Sequence, residues 1–132
     1  MKTMFTLDEI TAALAKVRSG KDFPEYIREI RKIGVIAFET RVKDNQTIYY
    51  GSDHYELFSP PLHEDLHIAA ESNKESFLNN LKAHQSGETD YFRFCKDCAR
   101  SGIEKWVVEL RQLTCTYYDS DGNAIFCESI PE

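Results

Sequence analysis

The residues with the most pointed chemistry are His63-Glu64-Asp65-Leu66-His67, which satisfy the pattern H-E-x-x-H. On a helix, two imidazoles one turn apart ligate zinc while the glutamate between them activates water. Leu62, Leu66 and Ala69 keep a helical period, and Pro61 is suited to opening a helix. Only about two turns fit before the cap signal at Ser72, and His54, Glu71 and His84 are equally unplaced as a third ligand. A solvated, histidine-rich loop needs none of these conditions and is the reading adopted. A zinc hydrolase using His63 and His67 is kept as an alternative. No metal and no other cofactor is expected.

Cys95 and Cys98 form a C-x-x-C pair. A redox pair belongs at a helix N-terminus after a strand, where the dipole lowers the first thiol's pKa. Here Cys95 falls more than a turn into a helix that follows another helix, on one stripe with Tyr91 and Phe94. Such thiols act as small hydrophobes. A four-cysteine zinc site would add Cys115 and Cys127, which a tight turn centred on Asp121 would set opposite each other on a hairpin. Free thiols are the simpler expectation.

The third constellation is His84, Asp90 and Lys105, with Gln85 and Tyr91 as accompanying binding candidates. A histidine beside a carboxylate serves as a general base, which would make this a polar cluster at a pocket mouth. The plainer reading has His84 hold a helix corner by hydrogen bonds while Asp90 caps a helix. No P-loop, dinucleotide fingerprint or nucleophile elbow is present.

These groups must be positioned by elements that the chain announces in order. Thr6-Leu7-Asp8-Glu9 is a capping box, and Leu7, Ile10, Leu14 and Val17 give the first helix its stripe, with Ser19 and Gly20 as its stop. Asp22, Pro24 and Glu25 open a second helix that ends at Gly34. No repeat is apparent between these two helices. VIAFETRV and QTIYYG then read as a hairpin through Lys43-Asp44-Asn45. Residues 53–72 are polar and longer than an ordinary loop, so a short strand is expected among them. Ser72 to Glu75 is a further capping box, before a helix carrying Phe77, Leu78 and Leu81 and ending at Gly87. Thr89 or Asp90 caps the next helix, which stops at Gly102. Three strands complete the chain, with Trp106, Val108 and Leu110 on one face of the first. Leu113, Cys115 and Tyr117 share a face of the second, and Ala124 to Ile130 form the third.

Segregated helices and strands with short hairpins predict one α+β domain over residues 1–132. The expected sheet is antiparallel, of about five or six strands, with about four helices packed on it. A chain of 132 residues, 42% hydrophobic, is long enough for a core without staples. The net charge of −6 opposes a nucleic-acid partner, and no apolar run approaches a membrane span. MKTMFTLDEI has no apolar h-region, so a soluble, cytoplasmic protein with reduced cysteines is expected. Its partners are unknown, and a homo-oligomer is compatible with the sequence.

LKAHQSGETDYFRFC, SGIEKWVVEL, LTCTYYDSDGN and the closing ESIPE, with IGVIAFETRV and YYG earlier, resemble the YbcV-like family. This is a bacterial domain of unknown function that often carries the label phage envelope protein. The likeness covers most of the chain and is strongest from His84 to Pro131. It implies no activity that transfers. It implies that LHIAAESNKESF is a short extended segment entering a capped helix, that His63 and His67 are not family features, and that Cys95 fits the family where Cys98 departs. The functional expectation is a small protein that acts by binding or self-association without catalysis. A small-molecule binder or enzyme with a pocket near His84 and Asp90 is the alternative.

Overall fold

In the computed structural model, which describes residues 5–17 and 22–130, capping and turn chemistry decide where most elements begin. The Thr6 amide and the Glu9 carboxylate, and the Glu9 amide and the Thr6 hydroxyl, close a reciprocal box that starts α1 (Leu7–Leu14). Its expected stop at Ser19 and Gly20 lies outside the described residues. Helix α2 (Phe23–Lys32) starts at Asp22, whose backbone is helical rather than extended and whose side chain makes no cap hydrogen bond, so Pro24 in the first turn sets the entry. Helix α3 (Lys74–Gln85) is capped by Asn73, not by Ser72, with Asn73 Oδ1 accepting from the Ser76 amide at 3.0 Å. Asp90 caps α4 (Tyr91–Arg100), accepting from the Arg93 amide at 2.7 Å.

The strands are β1 (Ala37–Arg41), β2 (Thr47–Tyr50), β3 (Glu56–Phe58), β4 (Ile103–Glu109), β5 (Thr114–Asp119) and β6 (Ala124–Ser129). They form one antiparallel sheet in the order β3-β2-β1-β4-β5-β6. The fold is α+β, as the segregation of patterns predicts, and β3 is the strand expected inside 53–72. Register puts Phe38, Tyr49, Trp106 and Tyr117 on one face. Tyr26 of α2 meets Phe38 and Tyr49 there, while Phe94 of α4 meets Trp106 and Phe77 of α3 meets Tyr117. Both helical pairs therefore cover the same face, and one buried cluster runs from Phe5 to Ile130. No described helix is long and apolar enough to cross a membrane.

The two halves of the chain are built alike. Tyr91 lies 68 residues after Phe23 and Arg100 lies 68 after Lys32, so α2 and α4 correspond end to end. The same spacing carries β1 into β4, β2 into β5 and β3 into β6. Backbone oddities obey it too: positive φ falls at Gly34 and Gly102, at Asn45 and Leu113, and at His54 and Gly122. At the centre, Ala37 pairs with Glu109 and Arg41 with Lys105, while Glu39 faces Val107. Flanking this pair, the Val42 amide donates to the Glu104 carbonyl at 2.8 Å and the Leu110 amide to the Ile36 carbonyl at 3.0 Å. Each contact thus has its exchanged twin, the signature of an isologous interface. A pseudo-two-fold axis passes between Glu39 and Val107.

The connection between the halves is tied at both ends. The Leu62 and Leu66 amides donate to the Asp44 and Lys43 carbonyls, fastening residues 59–66 to the β1–β2 turn. The Ala69 and Asn73 amides donate to the Ala99 and Ser101 carbonyls, satisfying acceptors at the end of α4. This strap passes so close to Gly102 that a Cβ there would lie 2.5 Å from the Glu71 carbonyl oxygen.

Candidate functional site

Two neighbouring places near the start of α4 bring chemistry-bearing side chains together. The first is the corner between α3 and α4. His84 stacks on Phe94 with centroids 4.5 Å apart and planes 11° from parallel. Its Nδ1 lies 3.2 Å from the Thr89 carbonyl. Burial lowers the His84 pKa, opposed by the Thr89 carbonyl and the Asp90 charge, so the neutral ring is favoured. Asp90 shares this corner with its carboxylate turned to cap α4. Lys105 does not join them. It lies beyond the sheet, on the face opposite Trp106, paired with Glu39 at 3.2 Å and set over the Tyr118 ring. Gln85 donates to the Glu128 carboxylate, which also accepts from the Tyr117 hydroxyl, and so fastens α3 to β6.

The second place is a hollow of about 360 Å3, open to solvent and lined by Asn45, Leu62, His63, Tyr91 and Phe92. Three segments meet here. Asn45 comes from the β1–β2 turn, where its φ of 63° suits a residue that tolerates the left-handed region. Leu62 and His63 come from the segment fastened to that turn, and Tyr91 and Phe92 from the first turn of α4. The Tyr91 hydroxyl donates to Asn45 Oδ1 at 2.5 Å. Tyr91 leaves part of its ring exposed while this hydroxyl is buried, and burial, with Cys95, Tyr49, Cys98 and Tyr26 around it, holds its pKa well above the ordinary value. The His63 ring lies 5.1 Å from the Phe92 ring, and Lys96 Nζ lies 5.0 Å over Phe92's centroid. His63 Nδ1 is 2.8 Å from the Glu64 carbonyl, whereas its Nε2 is shut away from solvent without a partner.

The remaining motifs resolve differently. Residues 63–67 form no helix, so the one-turn spacing that H-E-x-x-H requires is not made. Among the described residues, no three His, Cys, Asp or Glu side chains gather as a metal-ligating group. Cys95, Cys98 and Cys115 are buried free thiols, and burial pushes Cys95 and Cys115 up to about 12. Cys127 does not face Cys115. A register shift at Tyr117/Tyr118 sets Cys127 opposite Thr116 and Glu128 opposite Cys115, so Cys127 emerges exposed on the other face.

Of the candidate residues, Tyr91 and His63 meet in the hollow, and His84 with Asp90 at the corner beside it. Asn45, Leu62 and Phe92 carry no catalytic pattern, and Leu62 is marked only by a helical spacing with Leu66 and Ala69. Their signals were structural ones: a turn asparagine, an exposed leucine in a loop, and an exposed phenylalanine in the first turn of a helix.

Residues 11–129 match the family described as protein of unknown function, DUF1398. The chain is similar to three uncharacterised proteins, Mb2035 of Mycobacterium bovis and MT2067 and Rv2012 of Mycobacterium tuberculosis. Each is 26% identical over 98 residues, 73% of this chain and 59% of the relative. The chain thus spans well under two thirds of the length of the curated relatives it matches.

Proposed function

The chain belongs to the DUF1398 family of proteins of unknown function, and from that premise we propose a non-enzymatic binding protein whose ligand occupies the hollow around Tyr91 and Phe92. The observation that carries this reading is the exposure of Leu62, Tyr91 and Phe92 around one concavity of about 360 Å3. Exposed apolar side chains are ordinary singly, but several framing one hollow of ligand size are a feature of binding sites. In this reading His84 and Asp90 hold the corner that aims Tyr91, and Gln85 and Lys105 serve the frame. The same reading takes the protein as cytoplasmic and YbcV-like, supported by the shared strings from His84 to Pro131; the label phage envelope protein adds no chemistry to it.

The test is a titration of isotope-labelled protein with indole, followed by backbone amide shifts. Saturable shifts confined to Asn45, Leu62, His63, Tyr91 and Phe92 are expected, weakened about tenfold in Phe92→Ala through the lost apolar contact. Linear, scattered or absent shifts would remove the binding reading.

A further inference from the structure

The pseudo-two-fold is broken in places. On the helix side, Leu62 at the hollow is 59% exposed, whereas Ile130, 68 residues later, is 6% exposed. On the opposite face of the sheet the break is one of charge. There the strand registers set three rows across the strands. The first row holds Arg41, Lys105 and Tyr118, and the third holds Glu56, Tyr50 and Glu109. Between them run Phe58, Ile48, Glu39 and Val107. The axis exchanges Arg41 with Glu109 and Ala37 with Lys105. One end of the face is therefore cationic and the other acidic.

Helices α2, α3 and α4 pack on the other side and leave this face bare of them. A solvated sheet face is ordinarily polar, yet this one presents Ile48, Tyr50, Phe58, Val107 and Tyr118 between its charges. Phe58 is 55% exposed. Six strands about 4.8 Å apart give the face a plan area on the order of 500 Å2. Stable interfaces take about 800 Å2 of accessible surface from each partner, which only an occupant spanning the whole face can approach. A small ligand or a single helix covers too little. A second sheet of the same twist can stack on it, about 10 Å away.

Charge decides which sheet that is and which way round it lies. Turned end for end about an axis across the strands, a second copy sets Arg41 and Lys105 over Glu109 and Glu56, twice over. Turned about an axis along the strands, it sets cation on cation and acid on acid. The middle row lies on the first axis and meets itself, Ile48 on Ile48 and Val107 on Val107. Glu39 meets its own copy as well, with each one held by its own Lys105 at 3.2 Å. Arg111 reaches Glu109 at 3.2 Å from a side chain 68% exposed, a pairing worth little in water and free to be shared.

We propose that this face is the contact of a symmetric dimer, with a second copy of the chain lying sheet to sheet and end for end. The interface is isologous, so every contact occurs twice. Tyr91 of the hollow meets Trp106 on the helix side, so the hollow stays open in the dimer. The dimer holds whether or not the hollow takes a ligand.

Sedimentation equilibrium of the full chain tests it, at concentrations up to about 0.1 mM. The wild type is expected to pass from monomer to dimer in that range, and less readily in about 1 M salt. Val107→Lys sets two like charges against each other on the axis and is expected to stay monomeric with an otherwise unchanged amide spectrum. Arg41→Glu and Glu109→Arg each turn two attractive pairs into repulsive ones, and each is expected to weaken the dimer about tenfold. Mixed in equal amounts, these two variants are expected to recover wild-type association, because every cation then faces an acid. Neither variant's own folding could produce that recovery. A wild type that stays monomeric throughout would leave the face to water or to another occupant and overturn the dimer. Association indifferent to Val107→Lys would lie on another surface, such as the β6 edge or the hollow, and overturn it equally. No gain on mixing would overturn the end-for-end arrangement.

Discussion

His84, the general-base candidate of the sequence, packs in the fold at the corner between α3 and α4. It closes the α3–α4 corner through Phe94 and the Thr89 carbonyl, and burial lowers its pKa below the ordinary 6.5. The unfolded chain therefore takes up a proton at higher pH than the folded one. The stability that the neutral ring contributes is whole above about pH 6.5 and is lost as pH falls through the lower, folded value. Urea midpoints measured from about pH 7 to about pH 5 should fall more steeply for the wild type than for His84→Phe, which keeps the stack and removes the titration. Parallel slopes would show that the ring does not titrate differently on folding. Residues of this kind were legible as a cluster because His84, Asp90 and Tyr91 are close in sequence. Lys105 was not legible as an outsider, since which sheet face it takes depends on register: its neighbour Trp106 points to the helices and Lys105 away from them.

At the scale of elements, local chemistry carried most of the reading and tertiary contacts moved its edges. The α3 cap is the sharpest case. Ser72 and Glu75 satisfy a capping box on paper, yet Asn73 caps the helix because its amide is already fixed to the Ser101 carbonyl at 2.9 Å. Asn73→Ala should therefore cost about 1 kcal/mol, and Ser72→Ala less than about 0.5 kcal/mol, in denaturant unfolding. The reverse order would restore the box. The Cys115–Cys127 pairing failed for a related reason: one register shift in β5–β6 moves every later side chain of the edge strand to the other face. Residues 63–67 do not form the helix that H-E-x-x-H needs, and the Leu62 and Leu66 amides are bonded to the β1–β2 turn instead.

For the whole molecule, the α+β class and strand number could be read from the alternation of patterns, whereas the two-fold could not. Its identities are sparse, among them Asp22 with Asp90, Gly34 with Gly102, and Tyr49-Tyr50 with Tyr117-Tyr118. They mark a cap, a left-handed backbone and a strand face, so each passes for an ordinary local rule until the spacing is seen to be constant. The connection is fastened to the first half up to Leu66 and to the second from Ala69. Interrupting the chain between His67 and Ile68 should thus leave each half its own hydrogen bonds. Co-expressed halves split there are expected to purify as a one-to-one complex with the amide spectrum of the intact chain, the β1–β4 pairing and the common core holding them. Separate elution of the halves would mean that the covalent link is required.

That central strand pair also bears on how a site of this kind can arise. When two identical copies assemble around an axis, any substitution appears on both sides, and a mutation that opens one cavity opens its mirror image at the same cost in stability. Joining the two units in one polypeptide breaks that constraint. One side is then free to keep a sealed apolar plug at Ile130, preserving the strength of the frame, while the other drifts toward recognition at Leu62 and Asn45. Asymmetry becomes heritable only after such a fusion, and in this chain the hollow is one place where it shows.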